Sequence, residues 1–258
     1  MFDIEAYQRQ VAPVALDGID FGAFRTRPLS PEALRCIRYM HDVESHTVCY
    51  LRDLLVTPSH RDPRVTTFLT MWNYEEHWHG EALARVLAAH GEPAGAARVE
   101  PMRRRLGGGD RFSPVLNALG GALLGEAFVA VHMTWGAVNE WSTQAGYARL
   151  AEREDHPVLT ELLDRIQRQE ARHIAFYATE ARRRLAGNPR AQRLVRLLLR
   201  TKWAPVGSSV MPREETEFLL RYLVDGAVAD RLDGNVHRLP GLDGLHIVRK
   251  AAAEYAAA

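Results

Sequence analysis

The sequence predicts an all-α fold, and two observations support that prediction. Several long segments without proline each begin after a proline, and the residue before that proline is polar or, once, methionine. A capping residue followed by proline is typical of a helix start. The starts are Ser30-Pro31, Asp62-Pro63, Ser113-Pro114, His156-Pro157, Asn188-Pro189 and Met211-Pro212. Alternation with β-branched residues, which would indicate strands, is not sustained anywhere.

Each start is followed by a predicted helix. The helices are predicted at residues 31–56, 63–90, 114–152, 157–186, 189–203 and 212–231. Gly91 and Gly187 follow the second and fourth of them, and a glycine at that position commonly ends a helix. Residues 1–29 and 232–258 are weakly patterned, so we expect them to wrap around the helices.

The segment from Gly91 to Phe112 separates the second predicted helix from the third. It is too long for a tight turn between neighbouring antiparallel helices. One long crossover between two helix pairs is typical of ferritin-like four-helix bundles. The sequence therefore predicts a single ferritin-like domain over residues 1–258, with a core bundle at about 30–187 and accessory helices at about 189–231.

Charge and hydropathy argue against two classes of protein. The formal net charge is +1, from 33 basic and 32 acidic residues, whereas a nucleic-acid-binding domain is expected to be strongly basic. The most apolar stretch, residues 114–138, is interrupted by Asn117, Glu126 and His132, so no membrane-spanning helix is expected.

The cysteines and the N-terminal residues predict a cytoplasmic location. Cys36 and Cys49 lie in one predicted helix, about 19 Å apart along its axis, which is too far for a disulfide. Residues 1–10 contain no apolar run and predict no signal peptide. A reducing compartment is consistent with both observations.

Two Glu-x-x-His pairs form the candidate site. Glu76 and His79 lie in the predicted helix 63–90, and Glu170 and His173 lie in the predicted helix 157–186. Residues three positions apart project from one face of a helix. A single pair is weak evidence, because chance alone produces about one in a chain of this composition.

Two further glutamates are in register with these pairs. Antiparallel helices joined by a short turn place residues equidistant from the turn side by side. The midpoint of Glu44 and Glu76 is residue 60, and the midpoint of Glu140 and Glu170 is residue 155, each in a proline-marked turn. A glutamate from each of two helices and Glu-x-x-His from the other two is the ligand set of carboxylate-bridged dimetal bundles.

The residue types predict which metals would bind. Four carboxylates buried together would repel one another and take up protons, whereas two divalent cations would offset their four charges. Oxygen-rich ligands with one imidazole per metal suit iron or manganese more than structural zinc, which favours Cys and His. The sequence therefore predicts a dimetal site.

Three other side chains compete for a place in this site. Glu126 is an alternative to Glu140, but its midpoint with Glu170 falls inside a predicted helix; we expect it in a buried polar pair or at one end of the bundle. His132 lies about two helical turns from Glu140 and is expected to be a core histidine rather than a ligand. His77 is expected to point elsewhere on its helix.

In these segments the chain resembles the soluble acyl-carrier-protein desaturases of the ferritin-like superfamily, most closely the actinobacterial type. Residues 71–79 are similar to the family's Trp-x-x-Glu-Glu-x-x-His, and residues 168–173 to its Asp-Glu-x-Arg-His. The resemblance covers residues 30–187 and implies two iron ions, with Arg172 as a partner of a ligand carboxylate. The metal ligands that it implies are Glu44, Glu76, His79, Glu140, Glu170 and His173.

The chain departs from the family's pattern in two places. Gln169 stands where the family usually has an acid before the ligand glutamate. The predicted helix 114–152 is rich in glycine, which costs about 1 kcal/mol per residue relative to Ala and allows either close helix packing or room for a substrate. These glycines are Gly120, Gly121, Gly125, Gly136 and Gly146.

The resemblance implies an O₂-dependent di-iron oxidoreductase that introduces a double bond into an acyl chain, with electrons from a ferredoxin-like donor. A di-iron hydroxylase or N-oxygenase of a biosynthetic pathway is the alternative. A ferroxidase or iron-storage protein is a weaker alternative, because a storage cage needs only a bare bundle, without the predicted helices 189–203 and 212–231.

Two surfaces are expected to bind partners. An acyl carrier protein is acidic and would dock on a basic patch, although a solvated cationic helix end explains the same residues. The patch comprises Arg182, Arg183, Arg184, Arg193, Arg196, Arg200 and Lys202. Apolar residues at 48–51 and 128–131 extend beyond a single core-facing stripe and predict a homodimer, unless the two termini cover them.

Overall fold

The computed structural model describes residues 2–256, and this part of the chain is all-helical, without any strand. The helices are α1 Ile4–Gln10, α2 Pro31–Glu44, α3 Thr47–Leu55, α4 Pro63–Ala89, α5 Ala96–Leu124, α6 Glu126–Glu154, α7 Pro157–Leu185, α8 Pro189–Lys202, α9 Arg213–Leu223, α10 Gly226–His237 and α11 Ile247–Ala256. Short 3₁₀ helices cover Phe21–Arg25 and Pro58–Arg61. Over the same residues, no helix combines the length and the apolar character needed to cross a bilayer.

Four of the predicted helix starts are confirmed, and the capping side chains explain them. Ser30, Asp62, His156 and Asn188 precede α2, α4, α7 and α8, and each accepts a hydrogen bond from a backbone N–H of the first turn. Proline follows each cap at the start of the helix, where its missing N–H costs nothing. These local rules therefore place both helices that carry Glu-x-x-His.

The prediction for residues 91–152 was wrong in two respects. The expected crossover, in which no helix was predicted, is mostly helical, because α5 begins at Ala96 and runs through it with a kink at Gly107. The next helix begins at Glu126 instead of Pro114, which lies inside α5. Gly125 makes the boundary, because it has a φ of 53°, a conformation that glycine adopts far more readily than other residues.

Two other predicted helices are interrupted. The helix predicted at 31–56 ends at Glu44 and resumes at Thr47 as α3. The helix predicted at 212–231 is divided into α9 and α10 at residues 224–225, where Asp225 caps the second helix. Cys36 and Cys49 consequently lie on different helices, and both are free thiols, as expected.

The four helices that carry the candidate site pack around one centre. α4 contacts α2 and α7, and α6 contacts the same two helices. Along α4, residues 65–72 belong to one apolar core cluster and residues 82–87 to another. Along α7, the buried apolar residues within 176–185 belong to the first of these clusters, and those within 159–166 belong to the second. The polar residues of the site therefore form a layer between two apolar cores.

The segments near both termini cover this core, as expected. α1 packs on α4 and buries Tyr7, whereas α10 packs on α6 and α11 packs on α10. Val129, Ala130 and Val131 are therefore buried within the chain itself. The most exposed apolar ridge lies instead on α5, where Phe112, Val115, Leu116, Leu119 and Leu123 are all more than half exposed.

Candidate metal centre

The structure brings the six predicted ligand side chains together in the polar layer. They are Glu44 at the end of α2, Glu76 and His79 on α4, Glu140 on α6, and Glu170 and His173 on α7. All six are buried. The expected register of the two helix pairs therefore holds.

The ligand atoms form two groups that share two carboxylates. The His79 group contains Glu44, Glu76, His79 and Glu170, and the His173 group contains Glu76, Glu140, Glu170 and His173. Within each group the ligand atoms lie within 4.8 Å of one another. Glu76 and Glu170 belong to both groups, so each can bridge two neighbouring cations.

Both imidazoles present Nδ1 to the carboxylates. Nδ1 of His79 lies 3.3 Å from Glu170 Oε1 and 3.5 Å from Glu76 Oε2. Nδ1 of His173 lies 3.1 Å from Glu76 Oε1 and 3.2 Å from Glu170 Oε2. On the opposite side of the rings, Nε2 of His79 is hydrogen-bonded to Gln169, and Nε2 of His173 is hydrogen-bonded to Glu75. A ring that donates through Nε2 has a lone pair at Nδ1 for a metal.

Buried atoms without partners test whether cations fit here. Among the described residues, Glu76 Oε1, His79 Nδ1 and Glu170 Oε1 are buried and have no hydrogen-bond partner. An unsatisfied buried polar atom costs about 1–3 kcal/mol. Divalent cations placed between these atoms would bind them all, so the donor set fits two metal ions of the iron or manganese type.

The pKa values indicate how the cluster balances its charge. Burial and repulsion from neighbouring glutamates raise the pKa values of Glu44 and Glu140 well above the usual range. Burial lowers the pKa values of the two imidazoles, but the neighbouring acidic groups outweigh it and raise them, that of His79 to about 9. Without metal, these four groups therefore tend to take up protons, which offset part of the negative charge that cations would balance.

The other two glutamates stay ionised. Burial opposes ionisation of Glu76 and Glu170, yet both pKa values are lower than usual. Glu44 stabilises the Glu76 carboxylate most, and the neighbouring His79 and His173 rings stabilise both carboxylates. These are the two carboxylates that both groups share. The residues suited to bridge two cations are therefore the ones that remain charged.

Arg172 contacts Glu75 and not one of the six predicted ligands. Its guanidinium donates to Glu75 Oε1 at 2.5 Å. Glu75 is fully buried, and its Oε2 accepts from Tyr7 and pairs with Nε2 of His173, each at 2.8 Å. Arg172 therefore acts on the site through Glu75, which orients the His173 ring.

The sequence interpretation missed Glu75, Trp72 and Tyr147. Trp72 Nε1 donates to Glu140 Oε1 at 3.0 Å, and the Tyr147 hydroxyl donates to Glu44 Oε1 at 2.5 Å. A sequence signal existed for all three. Trp72 lies four residues before a ligand glutamate, Tyr147 lies seven residues after one, and Glu75 directly precedes one.

The three competing side chains lie outside the cluster. Glu126 is exposed at the start of α6, so it lies at a bundle end. His77 is exposed on α4. His132 is a buried core residue whose Nδ1 is paired with the Ser59 hydroxyl at 2.8 Å. Burial, with a smaller effect of Arg184, lowers the pKa of His132 to about 3, so its ring is neutral.

An apolar cavity of about 70 Å³ adjoins the cluster, and Glu44 forms part of its wall. The remaining wall comes mostly from apolar residues of α2, α9, α10, α11 and the segment 203–206, among them Met40 and Leu220, and Gly146 of α6 completes it. Gly136 does not border it; a Cβ there would lie 2.3 Å from the Tyr177 ring. The glycines thus differ in role: Gly136 permits close helix packing and Gly146 leaves room beside the site.

Part of the predicted basic patch is neutralised. Arg184 is paired with Asp62, and Arg183 is paired with Glu180 at 2.7 Å. Arg196 donates to backbone carbonyls near Asp243. Four members of the predicted patch stay exposed and have no acidic partner among the described residues: Arg182, Arg193, Arg200 and Lys202.

Comparison of the chain with models of known families, with curated proteins and with solved structures finds no match.

Proposed function

We propose that this chain is a ferritin-like dimetal oxidase that binds two iron ions and uses O₂ to oxidise an apolar substrate. The observation that carries the proposal is the pair of overlapping ligand groups that share Glu76 and Glu170. Oxygen-rich sites with one imidazole per metal suit iron or manganese. The bound metals would supply the reduction of O₂ and the oxidising power for a C–H bond.

The chain's own residues would hold the metals in fixed positions. Glu76 and Glu170 would bridge them, while His79 with Glu44 and His173 with Glu140 would complete the two halves. Hydrogen bonds from Tyr147 and Trp72 fix the orientation of the two terminal carboxylates. Such outer hydrogen bonds orient ligands and typically change metal affinity 10- to 100-fold.

The apolar cavity supports an apolar substrate. Its wall is almost entirely apolar, apart from Glu44, Tyr39, Ser142 and Thr143. A substrate group in the cavity would lie beside the Glu44 side of the cluster, and the surrounding side chains would exclude water from it. The reaction we propose is desaturation of an acyl chain, delivered on an acyl carrier protein, with electrons from a ferredoxin-like donor.

The volume of the cavity favours a second candidate as well. About 70 Å³ holds a short apolar group, and a long acyl chain would enter only if flexible side chains such as Met40 moved. A di-iron hydroxylase or N-oxygenase acting on a small molecule requires no such movement. Product analysis with acyl-carrier-protein substrates and with small apolar amines or acids would distinguish the two.

Anaerobic reconstitution tests the proposal. The metal-free protein should bind about two Fe²⁺ per chain, and addition of O₂ should produce a transient absorption in a stopped-flow instrument. Glu76→Ala and Glu170→Ala should lower the metal content, whereas Glu126→Ala, an exposed glutamate on α6, should not. Many iron atoms per chain would identify a storage protein, and unchanged metal content in both ligand variants would refute the site.

A further inference from the structure

In both Glu-x-x-His pairs, the residue before the glutamate reaches the imidazole of the facing helix. Glu75 on α4 pairs with Nε2 of His173 on α7 at 2.8 Å, and Gln169 on α7 pairs with Nε2 of His79 on α4 at 2.9 Å. The two contacts are equivalent by position, since each comes from the residue that directly precedes the ligand glutamate. They differ in charge.

The His173 ring donates to a carboxylate. Glu75 is fully buried, and Arg172 and Tyr7 also donate to it, so its two oxygens have three donors in all. These donors hold the carboxylate in place behind the ring. A carboxylate that accepts from Nε2–H raises the electron density at Nδ1 and makes the imidazole a stronger metal ligand.

The His79 ring donates to a neutral amide. Gln169 Nε2 donates to the backbone carbonyl of Ala12 at 3.0 Å, which identifies its Oε1 as the acceptor facing His79. An amide oxygen carries no net charge and polarises the ring less than a carboxylate does. The terminal carboxylates do not offset this difference, because Glu44 and Glu140 each accept one hydrogen bond from a neutral donor, Tyr147 or Trp72.

We propose that the two metal positions are unequal: the His173 group binds its metal tightly and the His79 group binds its metal weakly, because Glu75 and Gln169 differ in charge. The inference rests on the proposed dimetal function. The His79 group includes Glu44, which also lines the apolar cavity. The exchangeable metal is therefore the one beside the substrate space.

A Mn²⁺ titration of the metal-free protein measures the inequality, with unbound Mn²⁺ followed by its EPR signal. Two binding steps are expected, with dissociation constants that differ about 10- to 100-fold, the range typical of changes in such outer hydrogen bonds. Glu44→Ala should remove the weak step, and Glu140→Ala should remove the tight step. The reverse assignment in these two variants would overturn the proposal.

Two isosteric substitutions identify the cause. Gln169→Glu should tighten the weak step about 10-fold or more, and Glu75→Gln should weaken the tight step by a similar factor. Simple repulsion between two bound cations predicts neither change. If one variant does not fold, as judged by circular dichroism, the other still decides the question.

Matched controls separate this effect from a general change of charge. Gln167→Glu and Glu81→Gln make the same changes on α7 and α4, at side chains that do not contact either imidazole. Neither control should change the ratio of the two dissociation constants. A ratio that shifts equally in controls and test variants would overturn the role of Gln169 and Glu75.

The titration also separates the two levels of inference. Two Mn²⁺ ions bound with equal affinity would overturn the inequality and leave the dimetal site intact. Fewer than two Mn²⁺ ions at saturation would refute the dimetal function itself.

Discussion

Gly136 and Gly146 of α6 provide a matched pair of substitutions that tests the helix packing around the site. A Cβ at Gly136 would lie 2.3 Å from Cε1 of Tyr177, whereas a Cβ at Gly146 would lie 3.4 Å from the terminal methyl of Met40. Carbon atoms prefer separations of about 3.5–4.0 Å. The Tyr177 ring is buried, so Gly136→Ala would force the ring or the helix to move by more than about 1 Å.

The magnitude follows from comparing the two variants. Each alanine gains about 1 kcal/mol of helix propensity, and this gain cancels in the difference. Overpacking a well-filled core costs about 1–3 kcal/mol, and only Gly136→Ala incurs it. We therefore expect the unfolding free energy of Gly136→Ala to be about 1–3 kcal/mol lower than that of Gly146→Ala.

Urea unfolding of the metal-free variants, followed by circular dichroism, measures this difference. The same two glycine substitutions are then made in a Tyr177→Leu background, where the smaller side chain should remove most of the penalty at Gly136. Equal stability of the two variants in the unmodified background would refute the close contact between α6 and Tyr177.

Three further predictions concern pH, assembly and docking. Burial lowers the pKa of His132 to about 3, so the neutral ring contributes fully to stability above its unfolded pKa of about 6.5 and loses this contribution as the pH falls. Below pH 6, the unfolding free energy measured in urea should therefore fall by about 1.4 kcal/mol less per pH unit in His132→Gln than in the unmodified protein. The same dependence on pH in both proteins would contradict this. A homodimer, associated through the exposed apolar ridge of α5, should give twice the 29.0 kDa chain mass in light scattering, and a mass of 29.0 kDa across a tenfold dilution would exclude it. Binding of an acidic carrier protein should weaken with salt and with Arg193→Glu or Arg200→Glu, whereas salt-independent binding would reject this patch.

The sequence alone was sufficient to place the candidate ligands, because their positions follow local rules. Capping residues with prolines set the starts of α4 and α7, and helical periodicity put Glu and His on one face. The short turn between α6 and α7 then sets the height of Glu140. Glu44 has the expected height although α2 ends there and α3 leads to the turn before α4. Each step depends on residues close together in the chain.

The course of α5 and α6 could not be predicted in the same way. Gly125 has a left-handed φ and ends a helix, whereas Gly136 lies inside one. The two cannot be distinguished by residue type, because glycine tolerates both conformations. Contacts decide between them: Gly136 stays helical against the Tyr177 ring, and a side chain at that position would collide with it.

Only the tertiary structure revealed the partners that surround the ligands. Tyr7 and Glu75 are 68 residues apart in sequence, Tyr147 and Glu44 are 103 apart, and both pairs are hydrogen-bonded in the core. The sequence determined which side chains could bind metal, because ligand chemistry and helix periodicity are local properties. The tertiary structure decided how each ligand is oriented and where the apolar cavity lies, because these depend on side chains brought together from distant segments by packing.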